Sequence, residues 1–76
     1  MYLYFEDRNG KFRYIGKCEE EAICKKINDF IRDLNPNYKV YYMRSWPEDG
    51  GITYDVGSHV EFFHAYPGML ADRKLF

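Results

Sequence analysis

Residues 54–66 read YDVGSHVEFFHAY, a stretch with four aromatic side chains, two histidines and two carboxylates around the pair Gly57-Ser58. Glycine at the first central position favours a type II′ turn, which joins two antiparallel strands through only two residues. The stretch therefore predicts a tight hairpin formed by the strands Gly51–Val56 and His59–Tyr66.

The predicted turn decides which polar side chains share a face of this hairpin. Tyr54 would lie opposite Glu61, and His59 would project from the same face as Glu61. Asp55 and His64 would project from the opposite face, because side chains alternate along a strand. The carboxylates and imidazoles do not converge in this arrangement, so we predict neither a catalytic residue nor a metal site here.

A second turn signal occurs near the beginning of the chain. Asn9-Gly10 is typical of a type I′ turn and predicts a hairpin of the strands Tyr2–Glu6 and Lys11–Ile15. In the register of that turn, Glu6 faces Arg13 as a cross-strand ion pair. The other face would then carry the apolar and aromatic side chains Leu3, Phe5, Phe12 and Tyr14.

The remaining elements follow from periodicity and from helix stop signals. Apolar residues recur every three or four positions over Glu19–Leu34, which predicts an amphipathic helix that ends at the NPN sequence 35–37. Tyr38–Trp46 is predicted as a strand, and 67–76 as a loose or short helical tail. The order ββαβββ predicts one α+β domain over 1–76, with one helix packed on one face of an antiparallel sheet.

Length and charge exclude several classes of function. A chain of 76 residues with a formal net charge of -1 has no basic excess for binding nucleic acid. No apolar run approaches the length of a membrane span, and the N-terminus lacks signal-peptide features, so we expect a cytoplasmic protein. Cys18 and Cys24 fit no metal or redox motif and are expected to be reduced thiols. The sequence predicts no cofactor and no enzymatic activity.

Aromatic residues make up 20% of the chain, which points to a contact surface. If the PEDGG loop brings Trp46 close to Ile52, a face rich in Tyr, Trp and Arg forms, the residue types that dominate binding hot spots. Its predicted binding residues are Tyr4, Tyr42, Arg44, Trp46, Tyr54 and Glu61. The alternative is that these rings pack beneath loops and that Arg44 pairs with Glu61 across the sheet.

Both faces of the predicted sheet are partly apolar. An antiparallel sheet with one solvated face normally alternates apolar and polar side chains, so each of these faces needs a cover. The helix would cover one face, and a second copy of the chain could cover the other, which predicts a homo-oligomer.

The hairpin YDVGSHVEFFHAY, together with the helix sequence EEEAICKKINDFIRDLN and the strand that contains Trp46, resembles small uncharacterised proteins encoded by phages and prophages of Gram-positive bacteria. This resemblance covers 1–66 and includes no catalytic motif. It implies an accessory protein in the host cytoplasm that binds or inhibits a host protein, including a defence protein, or sequesters a small signalling molecule.

Three functions follow from these observations. The first is non-enzymatic binding of a host protein, or self-association, through the aromatic face. The second is a nucleotide sponge with a pocket between subunits, in which Arg13, Lys39 or Arg44 contacts a phosphate and aromatic rings stack on a base. The third is a structural accessory of the virion.

Overall fold

The computed structural model describes residues 1–37, 40, 43–57 and 60–69. Its elements are β1 (Tyr2–Glu6), β2 (Phe12–Lys17), a 3₁₀ turn (Glu20–Ala22), α1 (Ile23–Leu34), β3 (Arg44–Glu48), β4 (Gly51–Asp55) and β5 (Phe62–Tyr66). They form a small α+β domain with one helix and five strands, as the sequence predicts. Much of the predicted strand 38–46, the turn residues 58–59 and the tail 70–76 lie outside the described residues.

The five strands form one antiparallel sheet in the order β2-β1-β5-β4-β3. The first and last strands of the chain are neighbours near the centre, where Tyr2 lies opposite Tyr66 and Phe5 lies opposite Phe63. The strands β2 and β3 form the two edges. The pairing of β1 with β5 therefore joins the β1–β2 hairpin to the three consecutive strands β3, β4 and β5.

The helix α1 packs on one face of this sheet, which we call the helix face. Ile23 and Ile27 are fully buried against Leu3, Phe63 and other side chains of the principal core. The helix ends at Leu34, immediately before Asn35-Pro36, where the backbone N–H of Asn35 still donates to the carbonyl of Ile31 at 2.9 Å. Among the described residues, no helix has the length and apolar character needed to cross a membrane.

The first hairpin does not use the predicted type I′ turn. Of its two turn residues only Gly10 has a positive φ, of 80°, and the N–H of Asp7 donates to the carbonyl of Lys11. A three-residue loop with glycine last is the alternative way to close such a hairpin. It shifts the register by one residue, so Glu6 lies opposite Phe12.

This shift corrects the predicted faces of the hairpin. The Glu6–Arg13 pair does not form, since Arg13 lies opposite Phe5 on the helix face and its guanidinium lies 5.6 Å from the centre of the Phe30 ring. Tyr14 lies opposite Tyr4 and points away from α1. A β-bulge at Leu3 and Tyr4 shifts the register again beyond this point.

The β4–β5 register also differs from the prediction, but its faces do not. Tyr54 lies opposite Phe63 instead of Glu61, a shift of two residues. Because side chains alternate with a period of two, a shift of two leaves every side chain on its predicted side. Thr53 accordingly lies opposite His64, on the face that points away from α1.

The β3–β4 hairpin closes with a type I′ turn, the turn type that the sequence predicted for the first hairpin. Asp49 and Gly50 have φ of 51° and 78°, as both central residues of this turn require. The turn places Trp46 opposite Thr53 instead of near Ile52. Trp46 therefore points away from α1, and the predicted face that joined it to Tyr54 is wrong.

We expect Gly50→Ala to lower the free energy of unfolding by about 1 kcal/mol, because an L-residue is strained at positive φ. No atom lies within 4 Å of the added methyl group, so the loss would come from the backbone and not from a clash. The matched control is Asp49→Asn, since asparagine tolerates the left-handed region. Urea denaturation measures both changes, and equal losses in the two variants would contradict this account of the turn.

Candidate functional site

The sheet surface that points away from α1, which we call the far face, has a small core of its own. Tyr4, Phe12 and Tyr66 are buried there, and Tyr4 is 0% exposed. The Tyr4 ring lies 6.0 Å from that of Tyr66 and 6.4 Å from that of Phe12. These three rings are therefore buried within a single chain.

Beside this aromatic core, four strands form a cleft on the far face. Its volume is about 210 Å³, and it is lined by Glu6, Trp46, Glu48, Thr53, Phe62 and His64. Trp46 and Phe62 are half-buried, and their rings meet edge to face at 6.5 Å. The cleft thus combines an aromatic wall with two carboxylates and a buried imidazole.

A continuous chain of hydrogen bonds crosses the cleft. The Thr53 hydroxyl donates to Oε1 of Glu48 at 2.7 Å. Thr53 Oγ1 lies 3.0 Å from Nδ1 of His64, and Nε2 of His64 lies 2.6 Å from Oε1 of Glu6. Four side chains from β3, β4, β5 and β1 are linked in this way.

The hydrogen bonds of this chain run in one direction at Thr53. Its hydroxyl donates to Glu48, so its oxygen faces Nδ1 of His64. Nε2 of His64 lies against the Glu6 carboxylate, and this pair is charge-assisted when the imidazole is protonated.

Aromatic rings hold the His64 imidazole in position. The Phe12 ring stacks on it with centroids 4.7 Å apart and planes at 16°, and the Tyr66 ring is near-parallel to it at 6.3 Å. His64 is only 6% exposed. The imidazole is therefore a rigid part of the sheet and the base of the cleft.

Thr53, His64 and Glu6 are the residue types of a nucleophile, a base and a carboxylate, but their arrangement does not activate Thr53 as a nucleophile. Thr53 is 2% exposed, and its proton is bonded to Glu48 instead of being directed at His64. Within the described part of the chain, no group of three His, Cys, Asp or Glu side chains could hold a metal ion.

Arg44 lies next to the cleft at the start of β3. Its guanidinium donates to Oδ2 of Asp55 at 2.7 Å, whereas the sequence suggested Glu61 as its partner. Asp55 also accepts from the backbone N–H of Gly57 at 2.9 Å, which ties the ion pair to the loop after β4. The Arg44 side chain is 66% exposed, so it is presented at the surface while it is paired.

The six predicted binding residues do not form one site. Trp46 and Arg44 lie on the far face, and Tyr4 lies there but is fully buried in the aromatic core. Tyr54 belongs to the core on the helix face, where burial raises the pKa of its hydroxyl. Glu61 lines a separate groove next to α1, and Tyr42 is outside the described residues.

Sequence reasoning missed most of the cleft. Glu6, Glu48 and Thr53 were not predicted as site residues, and His64 was considered and set aside. The alternation of side chains along β4 and β5 correctly predicted which of their residues share a face of the sheet. The contact of His64 with Glu6 spans 58 positions of sequence, and no local pattern indicates it. No protein-family model, curated protein or solved structure matches this chain.

Proposed function

We propose that this protein is a non-enzymatic binding protein and that it contacts its partner through Trp46, Phe62 and Arg44 at the rim of the cleft. The observation that carries the proposal is the cleft itself, in which half-buried rings stand beside buried polar groups on the far face. Trp and Arg are among the residue types that contribute most to protein interfaces, because they bury a large area and still offer hydrogen-bond donors to the partner.

The rigidity of this surface supports a binding role. Trp46 is on a strand closed by a tight turn, and the His64 chain links β3 to β1 across the sheet. Side chains that are already ordered lose little conformational entropy when a partner binds. Arg44, held by Asp55, is preorganised in the same way.

The polar chain supports binding over catalysis. Its four side chains are hydrogen-bonded to one another, and Thr53 is buried. The contribution of this chain of bonds is therefore to hold the cleft in shape. The partner that we propose is a protein, and the resemblance to phage-encoded proteins makes a host protein our first choice.

The nucleotide sponge has less support from the geometry. Arg13 extends from the edge strand β2 on the helix face, whereas Arg44 extends from the opposite edge strand on the far face. A single chain therefore does not bring the two arginines to one phosphate, so the sponge would need a pocket between subunits in which one of them acts alone. Lys39 lies outside the described residues.

The proposal predicts that Trp46→Ala lowers partner affinity about 30-fold or more, the size of a hot-spot effect of at least about 2 kcal/mol. Partners would be purified from a Gram-positive bacterial lysate on the immobilised protein, and their dissociation constants measured with each variant. Trp46 is the only tryptophan, so a shift of its emission on titration reports contact at the cleft directly.

The matched control is Tyr14→Ala, which removes an exposed ring from the same face at the other edge of the sheet. It should leave the affinity unchanged, and circular dichroism should show that both variants fold. A partner that binds Trp46→Ala as tightly as the wild type, with no change in Trp46 emission, would rule out the cleft as its site.

A further inference from the structure

The edge strand β2 directs some of its backbone hydrogen-bonding groups away from the sheet. The N–H of Asp7 donates to the carbonyl of Lys11, and the carbonyl of Met1 accepts from the N–H of Cys18. Alternate residues of a strand bond to the same neighbour, so the odd-numbered residues of β1 direct their N–H and C=O groups toward β2. Tyr14 and Lys17 lie opposite the even-numbered residues Tyr4 and Tyr2, where the two strands exchange no hydrogen bonds. The N–H and C=O groups of Tyr14 and Lys17 therefore point outward, away from β1.

The other edge, β3, is protected against strand addition. Glu48 and Gly51 flank the two-residue turn as a hydrogen-bonded pair. The residue before Glu48, Pro47, therefore directs its backbone away from β4. Proline has no N–H to donate, and it is a common way to block pairing at a sheet edge. The described part of β2 contains no proline.

A groove runs beside β2, between that strand and α1. Its volume is about 320 Å³, and its lining includes Arg13, Ile15, Lys26, Asp29, Phe30 and Asp33. The Lys26 side chain crosses toward the strand, close enough that a Cβ at position 16 would lie 2.8 Å from its Cε. An edge strand with a groove and a helix alongside it is the geometry in which extended peptides add to a sheet.

The charge of β2 indicates which kind of peptide would bind beside it. Lys11, Arg13 and Lys17 are exposed, and 11–18 contains no acidic residue although the whole chain has a net charge of -1. Across the groove, Asp29 forms an ion pair with Lys25 at 2.9 Å, and this bond lowers the pKa of the Asp29 carboxyl. The strand itself is thus basic, and the second carboxylate of the groove, Asp33, belongs to α1 on the opposite side.

We propose that β2 binds an acidic, extended segment of a partner polypeptide, which adds to the sheet as a sixth strand next to Tyr14 and Lys17. A polypeptide is favoured because the outward N–H and C=O groups match another backbone. A second copy is disfavoured, since pairing β2 with β2 would bring like charges together and pairing β2 with β3 would meet Pro47. This surface is separate from the cleft of the proposed function.

The test uses an octapeptide of alternating glutamate and threonine, with blocked ends, added to the full chain. Its binding should slow amide hydrogen exchange at Tyr14 and Lys17, measured by NMR, and should weaken as salt is added. The same peptide with lysine in place of glutamate should bind at least about tenfold more weakly. N-methylation of alternate residues on the bonding edge should cause a loss of similar size.

Two variants of the protein separate backbone from side chain. Tyr14→Pro removes an outward N–H without removing a bond to β1, and Tyr14→Thr removes the same ring but keeps the N–H. We expect about 3- to 10-fold weaker binding of the glutamate peptide for Tyr14→Pro than for Tyr14→Thr, the range for one hydrogen bond.

Several results would overturn the proposal: no binding of the glutamate peptide, equal binding of the lysine or N-methylated peptide, or protection at Trp46 instead of Tyr14 and Lys17. Preferential binding of an oligonucleotide of equal charge, or dimerisation of the chain through β2 at micromolar concentration, would also overturn it.

Discussion

Phe63→Ala is expected to lower the free energy of unfolding by about 3–5 kcal/mol, the usual loss when a buried phenylalanine is truncated. Phe63 is 1% exposed, and its ring lies 5.2 Å from that of Phe5 and 5.8 Å from that of Phe30. It thus joins β5 to β1 and to α1. Native proteins have only about 5–15 kcal/mol of total stability, so the variant should lose a large fraction of it.

The adjacent Phe62 supplies the matched control. It is half-buried on the far face, where its ring meets Trp46, and Phe62→Ala should cost less than half as much. Thermal denaturation would show a fall of at least about 12 °C for Phe63→Ala, at about 4–8 °C per kcal/mol. A larger loss for Phe62→Ala would mean that the principal core lies on the far face, against the structure.

Thr53→Val is expected to lower the free energy of unfolding by about 1–3 kcal/mol, although the two side chains have nearly the same shape. The valine cannot donate to Glu48 or accept from Nδ1 of His64, so a buried ring nitrogen loses its partner. The cost of leaving a buried polar group unsatisfied exceeds the value of the bond that was lost.

The control is Thr53→Ser, which keeps the hydroxyl and removes one methyl group, for a loss of about 0.8 kcal/mol. Urea denaturation measures the difference, and NMR of the imidazole nitrogens checks the cause. In Thr53→Val the Nδ1 signal of His64 should move relative to the wild type, because its partner is removed. Equal stability of the valine and serine variants would show that the chain of bonds does not contribute.

The sequence predicts the element order, the antiparallel sheet and the end of α1, because periodicity and proline act locally. Register was harder, since it depends on the turn type. Asn9-Gly10 was assigned the type I′ turn that Asp49-Gly50 adopts instead. A local signal was present, because the Asp7 carboxylate accepts from the N–H groups of Asn9 and Lys11 and stabilises the longer loop.

The candidate site was less predictable than the fold. Trp46 and Arg44 were identified by residue type, but Tyr54 and Glu61 were grouped with them through the wrong register at the β3–β4 turn. A one-residue difference there moves a side chain to the other face. The Glu6–His64 contact further requires the strand order, which local sequence does not contain.

The pairing of β1 with β5 has a consequence for how fast the protein folds. It joins Tyr2–Glu6 to Phe62–Tyr66 across almost the whole described chain, whereas the β1–β2 and β3–β4 pairings and the helix are local in sequence. Contacts between residues far apart in sequence require the closure of a long loop, and they slow folding. We therefore expect the central pairing to limit the folding rate, so that substitutions which weaken the local hairpins change that rate less than those at the β1–β5 seam.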